Sequence, residues 1–268
     1  MSRILLIGGD GMLGSALARV LAAAHDLTVL RRADFDIVAG AWRALPLPGH
    51  DYVLNAAGMI NKRQAEADTF YTVNAVFPHA LAELCVDCGV RLIHFSTDCV
   101  FAGTAAPYYE DARTDADDLY GRTKMLGEPI TGMTLRTSII GPETRNGYNL
   151  MCWALAQSEI NGFTNIFWNG LTTVALAHAV DAIIARDLYV NGLRHLHATD
   201  CSKHDLVAII CTAFGSAARI TPIEWETVRD VRLRTRYPEF MAQLDIPPIS
   251  EQIAALVPLS DRHGRWRS

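Results

Sequence analysis

Long hydrophobic runs are missing from this chain: no apolar stretch approaches the roughly 20 residues that a membrane-spanning helix needs. The first residues pass directly into Ile4-Leu5-Leu6-Ile7, without the zones of a secretion signal. Cysteine is scarce, six in 268 residues, too few for the disulfide framework of a secreted scaffold. A cytoplasmic setting is therefore the expectation. Positive charge is not in excess either. With 24 Lys and Arg against 29 Asp and Glu, the net charge is −5, which leaves no electrostatic footprint for nucleic acid or an anionic membrane. Repeats and low-complexity tracts are also lacking.

Metal-binding patterns are thin. Cys85-x-x-Cys88 lies in the apolar-periodic segment 80–90 and has no second pair to complete a zinc site. Two thiols packed on a helix is the plainer reading. His195 and His197 alternate on an expected strand and share a face, with no third ligand in view, so no metal is expected there.

What the chain does have is apolar residues, half of its composition, enough for a large core. Up to about residue 145 they fall into short β-rich runs alternating with helical patterns. Strands are expected at 3–7, 27–31, 52–55, 90–96 and 133–137, and helices at 12–24, 66–89 and 119–131. That alternation predicts an α/β fold, a Rossmann-like doubly wound parallel sheet with helices on both faces. The segments 45–49 and 103–118 read as loops. Beyond 145, Asn, Gly and aromatic residues cluster at 161–170. A helix at 174–189, a strand at 194–198, a helix at 203–214 and a basic segment at 229–236 follow. The expected division is residues 1–145 plus about 174–200 in the nucleotide-binding domain. About 146–173 and 201–268 would form a smaller, interleaved C-terminal substrate-binding lobe.

Three motifs carry chemistry. Gly8-Gly9-Asp10-Gly11-Met12-Leu13-Gly14 joins the first strand to the first helix, where glycines permit a tight turn and close approach of backbone to a pyrophosphate. The second strand ends in Arg31-Arg32, where NAD-binding chains place an acidic residue. Basic residues there suit a 2′-phosphate. Asp36-Ile37, on an expected short strand, is a candidate adenine contact. Tyr120 and Lys124 stand at i and i+4, one above the other on a helix, so an ammonium could stabilise the phenolate and lower the phenol's pKa.

With Asn55-Ala56-Ala57-Gly58, Val73-Asn74-Ala75, Phe95-Ser96-Thr97-Asp98-Cys99-Val100-Phe101 and Leu135-Arg136-Thr137-Ser138, these motifs occur in the order of the extended short-chain dehydrogenase/reductases. Pro107–Asp111, Gly127-Glu128 and the run 170–177 add to the match, which covers roughly residues 3 to 200. Within that family the chain resembles the dTDP-4-dehydrorhamnose reductases. The resemblance implies reduction, by NADPH (or NADH), of the C4 keto group of a nucleotide-linked 4-keto-6-deoxy sugar, and allows a homodimer. It implies Tyr120 as proton donor, Thr97 as carbonyl contact, and Lys124 as ribose ligand and modulator of Tyr120. Gly8, Gly11, Met12, Leu13, Gly14, Arg31, Arg32, Asp36, Ile37, Ala56, Ala57, Gly58, Asn74, Ser96 and Ile139 are its cofactor candidates. Asp98, Cys99, Phe167, Asn169, Gly170 and Thr172 are its substrate candidates.

Two positions depart from the pattern. The rhamnose reductases carry tyrosine where this chain has Cys99 and tryptophan where it has Ile139. The related 4,6-dehydratases carry glutamate at the position of Cys99, so dehydration is disfavoured. GDP-fucose synthase, another relative, uses a cysteine two residues after the catalytic hydroxyl, together with a histidine, to epimerise the sugar before reduction. Cys99 has that spacing from Thr97, but 143–170 holds no histidine and His178 comes only later. A third alternative is a non-catalytic binding module, as in the regulatory subunit of methionine adenosyltransferase. In the basic segment, a solvated face and an arginine gripping a substrate diphosphate are both open readings.

Overall fold

Alternate residues of the central strands face opposite layers of the molecule, and this sets where everything else sits. A computed structural model describes residues 1–60, 65–143 and 149–267. Strand β1 (Arg3–Ile7) leads into helix α1 (Met12–Leu21), followed by β2 (Asp26–Leu30) and β3 (Tyr52–Asn55). Helices α2 (Ala67–Tyr71) and α3 (Phe77–Cys88) come next. After them lie β4 (Arg91–Thr97), α4 (Leu119–Leu126), β5 (Met133–Thr137) and the short β6 (Ile139–Ile140). Ile4, Leu6, Leu54 and Ile93 pack on one face of the sheet, with Leu17 and Leu21 of α1. Leu5, Ile7, Val53 and Leu92 pack on the other, with Phe77 and Leu81 of α3. Strands apolar on both faces need cover on both faces, and each fully buried leucine contributes roughly 1.5–3 kcal/mol.

The second half of the chain runs through α5 (Leu150–Leu155), β7 (Glu159–Phe163), β8 (Ile166–Trp168), β9 (Leu171–Thr172), α6 (Thr173–Ala185) and β10 (Gly192–His195). It then forms β11 (Cys201–Ser202), α7 (Lys203–Ala213), β12 (Arg219–Ile223), β13 (Arg229–Asp230), α8 (Pro238–Ala242) and α9 (Ile249–Leu256). The main sheet is parallel, with strand order β10-β5-β4-β3-β1-β2. The order reverses between β1 and β3, which opens a crevice at their C-terminal ends, the usual place for a ligand in such sheets. Helix α6 joins α1 on its face through Leu176, Val180 and Ile183.

The smaller lobe is built of short strand pairs. β7 pairs with β12, while β8 lies between β11 and β13. Met151, Leu206, Ile210, Ile253 and Leu256 fill its core. The expected boundary near residue 145 lies outside the described residues.

Several elements differ from the expectation for local reasons. The single helix expected at 66–89 is two helices joined by a π-helical turn, Thr72–Val76. The helix expected at 119–131 stops at Leu126, because Gly127 caps it and Pro129 cannot continue it. Asp36-Ile37 forms no strand: the Asp36 carboxylate accepts from Val38 N at 3.0 Å and starts a 3₁₀ turn, Ile37–Ala39. The strand expected at 194–198 ends at His195. Only Cys85 of the thiol pair is packed. Cys88 is exposed.

Candidate active site

The glycine turn is built as a cradle. Gly8 has φ +91°, and a Cβ there would meet Ala57 N at 2.6 Å. A Cβ on Gly14 would strike the Gly8 carbonyl, so only glycine lets α1 start against the end of β1. The crevice beside it is lined by Gly8, Gly11, Arg31, Arg32, Asp36, Ile37, Ala56, Ala57 and Gly58, nine of the cofactor candidates. Phe35, Met59, Thr69 and Val73 are among the other lining residues and were not candidates. Arg31 pairs loosely with Asp10 at 3.7 Å, and its side chain is more than half exposed. Fixed glycine backbone, a helix N-terminus and two arginines fit a dinucleotide carrying an extra phosphate.

Other cofactor candidates sit behind the wall. Leu13 is in the core beneath α1, and Ile139 packs on the same cluster. Met12 opens α1 and its sulfur accepts from Asn149 Nδ2 at 3.6 Å. Asn74, fully enclosed in the π-helical turn, accepts from Met59 N at 2.8 Å and donates to Met59 O at 3.0 Å and Thr123 Oγ1 at 3.1 Å. It fixes α4 to the crevice wall. Ser96 donates to Glu128 Oε1 at 2.5 Å, and Arg136 grips the same carboxylate at 2.9 and 2.6 Å. His195 is tied in as well, accepting from Arg136 at 2.9 Å and donating from Nδ1 to Arg234 O at 2.8 Å. This buried network joins β4, the segment just after α4, β5 and β10.

At the end of β4 the backbone turns sharply. The Thr97 hydroxyl accepts from Cys99 N at 3.2 Å and starts a 3₁₀ turn, Asp98–Val100. The Asp118 carboxylate caps α4 by accepting from Gly121 N at 2.6 Å. A Cβ on Gly121 would strike the Cys99 carbonyl, so the start of α4 lies directly on this turn. The Tyr120 phenol thereby faces the Thr97 hydroxyl. Burial, then the Cys99 side chain, push the phenol above its ordinary 10, while Thr97 works in the opposite sense.

Lys124 does sit one turn along the helix, but the expected ammonium-over-phenol contact is not made. Its Nζ turns onto β4, donating to Phe95 O at 2.6 Å and lying 3.5 Å from His94 Nε2. Burial lowers it to about 8, against a smaller upward pull from Glu128.

Beyond Asp98 and Cys99 lies a cavity of about 620 Å³, also lined by Ser138, Asn149, Trp153, Asn161, Phe163, Trp168, Lys203 and Arg229. Burial raises Asp98 above its ordinary 3.8, opposed by Lys203 and by bonds from Ser138, Thr97 and Cys99. Burial, then Asp98, push the Cys99 thiol up to about 12. Its Sγ lies 3.6 Å from Asp98 Oδ1. Lys203 lies over the Trp168 ring at 5.1 Å.

The remaining four substrate candidates are not on this wall. On β8, Ile166 and Trp168 face the cavity, so by strand alternation Phe167 faces away, under Arg232 at 4.7 Å. Asn169 staples Leu233 and Asp200. Gly170 leaves room for the Trp168 ring and the Ser138 carbonyl. Thr172 caps α6.

The basic segment resolves residue by residue. Arg232 pairs with Asp230 and Asp200, Arg234 with Asp200, and Arg236 with Asp111. Arg229 alone among these four lines the cavity. Lys203 was not singled out from the sequence, and Arg229 only as one member of the basic segment 229–236. Each reaches the site from a distant part of the chain, which no local spacing reveals.

Residues 1–243 match the family described as the RmlD substrate binding domain. A dTDP-4-dehydrorhamnose reductase of Salmonella typhimurium is 32% identical over 229 residues, covering 77% of this chain and 76% of its own. A dTDP-4-keto-6-deoxy-D-glucose reductase of Streptomyces niveus is 29% identical over 254 residues, 88% of this chain and 87% of its own. Among solved structures, a dTDP-4-dehydrorhamnose reductase of Bacillus anthracis, in complex with NADP, superposes with a TM-score of 0.83 at 21% identity. That match covers 97% of this chain and 100% of the other. The chain belongs to the RmlD family, the dTDP-4-dehydrorhamnose reductase-like extended short-chain dehydrogenase/reductases, which are NAD(P)H-dependent oxidoreductases.

Proposed function

We propose that this protein reduces the C4 keto group of a nucleotide-linked 4-keto-6-deoxyhexose, with NADPH preferred over NADH. The observation that carries the reading is the pairing of Thr97 and Tyr120 at the end of β4, beside the cavity lined by Asp98 and Cys99. NADPH would supply the hydride that adds to C4. Gly8, Gly11 and Ala56–Gly58 would hold its phosphates and adenosine, with Arg31 and Arg32 on the 2′-phosphate. That last contact is the ground for the NADPH preference.

The remaining steps belong to the chain. Thr97 donates a hydrogen bond to the carbonyl oxygen and orients it. Tyr120 transfers its proton to that oxygen as negative charge develops there. Burial holds the phenol protonated well into the alkaline range, so the donating form is the one present at neutral pH. Lys124 would hold the ribose, and an ammonium there would favour the phenolate left behind, although in this structure its amine is turned onto Phe95 O. In the cavity, Arg229 and Lys203 take the diphosphate, while Trp153 and Phe163 offer aromatic faces to the base. The six cysteines, all free, suit the reducing cytoplasm.

The epimerase-reductase alternative asks Cys99 to act as a carbon base. A thiol pushed up to about 12 stays protonated at neutral pH and is a poor base. His178 is exposed on α6, which packs against α1. The test of the leading reading is NADPH oxidation against a panel of dTDP-, GDP-, CDP- and UDP-4-keto-6-deoxy sugars. Turnover with at least one is expected. Turnover with none, while Tyr120→Phe still supports the protein's biological role, would favour the binding module.

A further inference from the structure

His94 lies on β4 directly under Lys124, fully buried, and its two ring nitrogens are not equivalent. Asn55, at the end of β3, accepts from Ala57 N through Oδ1 at 3.3 Å. That fixes its amide orientation and turns Nδ2 toward His94 Nδ1 at 3.2 Å. Nδ1 must therefore accept. A neutral imidazole with an accepting Nδ1 carries its proton on Nε2, and Nε2 is the atom 3.5 Å from Lys124 Nζ. Burial, then Lys124, hold His94 well below its ordinary 6.5, so the ring is neutral. An N–H donor thus faces the lysine nitrogen. A neutral amine can accept from it while donating to Phe95 O, whereas an ammonium offers only donors.

We propose that His94 is a positioning residue that sets the protonation state of Lys124, stabilising the uncharged amine docked on β4 and disfavouring the ammonium there. The inference rests on the reading of Tyr120 and Lys124 as the reacting pair. Among the described residues, the other titratable groups acting on His94 and Lys124 are Glu128, two residues past the end of α4, which favours the ammonium, and His79, on α3, which opposes charge on His94. Cys99, Asp98 and Asp118 face Tyr120. Because the tautomer is set from Ala57 through Asn55, the lysine is linked to a loop that lines the dinucleotide crevice. Movement of that loop has a direct route to the catalytic helix. Orienting groups of this kind act by fixing which proton sits where rather than by touching the substrate.

The test reads Lys124 itself. Trace acetic anhydride acylates only the neutral amine, so the extent of Lys124 labelling against pH, followed by mass spectrometry on the full-length chain, gives its titration without substrate. Wild type should titrate near 8. His94→Leu, lacking the donor, should shift the curve to higher pH and cut labelling at pH 8 by about three- to tenfold. Asn55→Asp keeps the ring but accepts from Nδ1–H, leaving Nε2 to accept from the ammonium, and should cut labelling at least as far.

The double variant separates tautomer control from simple charge. If His94 transmits the effect, Asn55→Asp adds nothing in the His94→Leu background. A wild-type titration retained in His94→Leu, or an Asn55→Asp shift persisting in full without His94, would overturn the proposal. In reduction assays the alkaline limb of kcat/KM should move with the labelling curve. If no sugar nucleotide is turned over, the labelling still decides the role of His94, so the two failures are distinct.

Discussion

Gly121→Ala puts one methyl group between the start of α4 and the turn at the end of β4. Built on the present backbone, its Cβ lies 2.7 Å from the Ala116 Cβ and closer still to the Cys99 carbonyl oxygen, both inside the 3.0 Å that such atoms keep. Neither neighbour is the free end of a flexible side chain, so the helix must move. Tyr120 is the adjacent residue and moves with it, away from Thr97. A displacement on the order of 1 Å at a reacting group costs up to about 10²-fold in rate. Overpacking of this kind costs about 1–3 kcal/mol of stability.

The expected result is kcat reduced by about 10²-fold, with a modest fall in Tm and a KM for NADPH within about threefold of wild type. Gly58→Ala is the control for folding alone: its Cβ would meet only the Asn74 Oδ1 at 3.6 Å, an ordinary contact, so its Tm should stay near wild type whatever its effect in the dinucleotide crevice. Full activity in Gly121→Ala would refute the argument that this close approach sets the Thr97–Tyr120 geometry.

Other consequences can be checked in the same assays. Arg31→Ser should raise the KM for NADPH by about 10- to 100-fold, from loss of a charge-assisted contact, and leave that for NADH nearly unchanged; equal effects on both would remove Arg31 from the 2′-phosphate. Arg229→Ala should raise the KM for the sugar nucleotide by about tenfold or more with kcat nearly intact, since a diphosphate contact serves both ground and transition states. Cys99, raised to about 12, should resist alkylation by iodoacetamide up to about pH 9 and gain reactivity only as pH climbs toward that value. Rapid alkylation at pH 8, or solvent deuterium at C3 or C5 of the sugar that is lost in Cys99→Ser, would return the epimerase to consideration.

The parts of the site that could be read from the sequence are those whose geometry is local. The turn from Gly8 to Gly14 lies between one strand and one helix, Arg31-Arg32 directly follows the next strand, and Tyr120 and Lys124 share a helix face by periodicity alone. Phe167, Asn169, Gly170 and Thr172 sit in a segment rich in binding-type residues. Which of them faces the cavity depends on the register of β8 against β11 and β13, and the composition of the segment does not contain that information. Arg229, Lys203 and Trp153 reach the cavity from three separate elements of the lobe. Ser96 looked like a cofactor contact because it neighbours Thr97. By strand alternation its side chain points to the opposite face, where Glu128 and Arg136 take it.

The same limit applies to the lysine. Helical spacing put Lys124 beside Tyr120 correctly, but where its amine points is decided by Phe95 and His94 on a strand some 30 residues earlier.

The central claim, that Tyr120 protonates a C4 alkoxide formed by hydride transfer, is tested most directly with NADPH deuterated at the transferring position. Product from an accepted 4-keto-6-deoxy sugar nucleotide should carry deuterium at C4 and at no other carbon by NMR. Tyr120→Phe should slow its formation by about 10²- to 10⁴-fold without loss of NADPH binding. Label at another carbon, or a Tyr120→Phe variant as fast as wild type, would contradict the account.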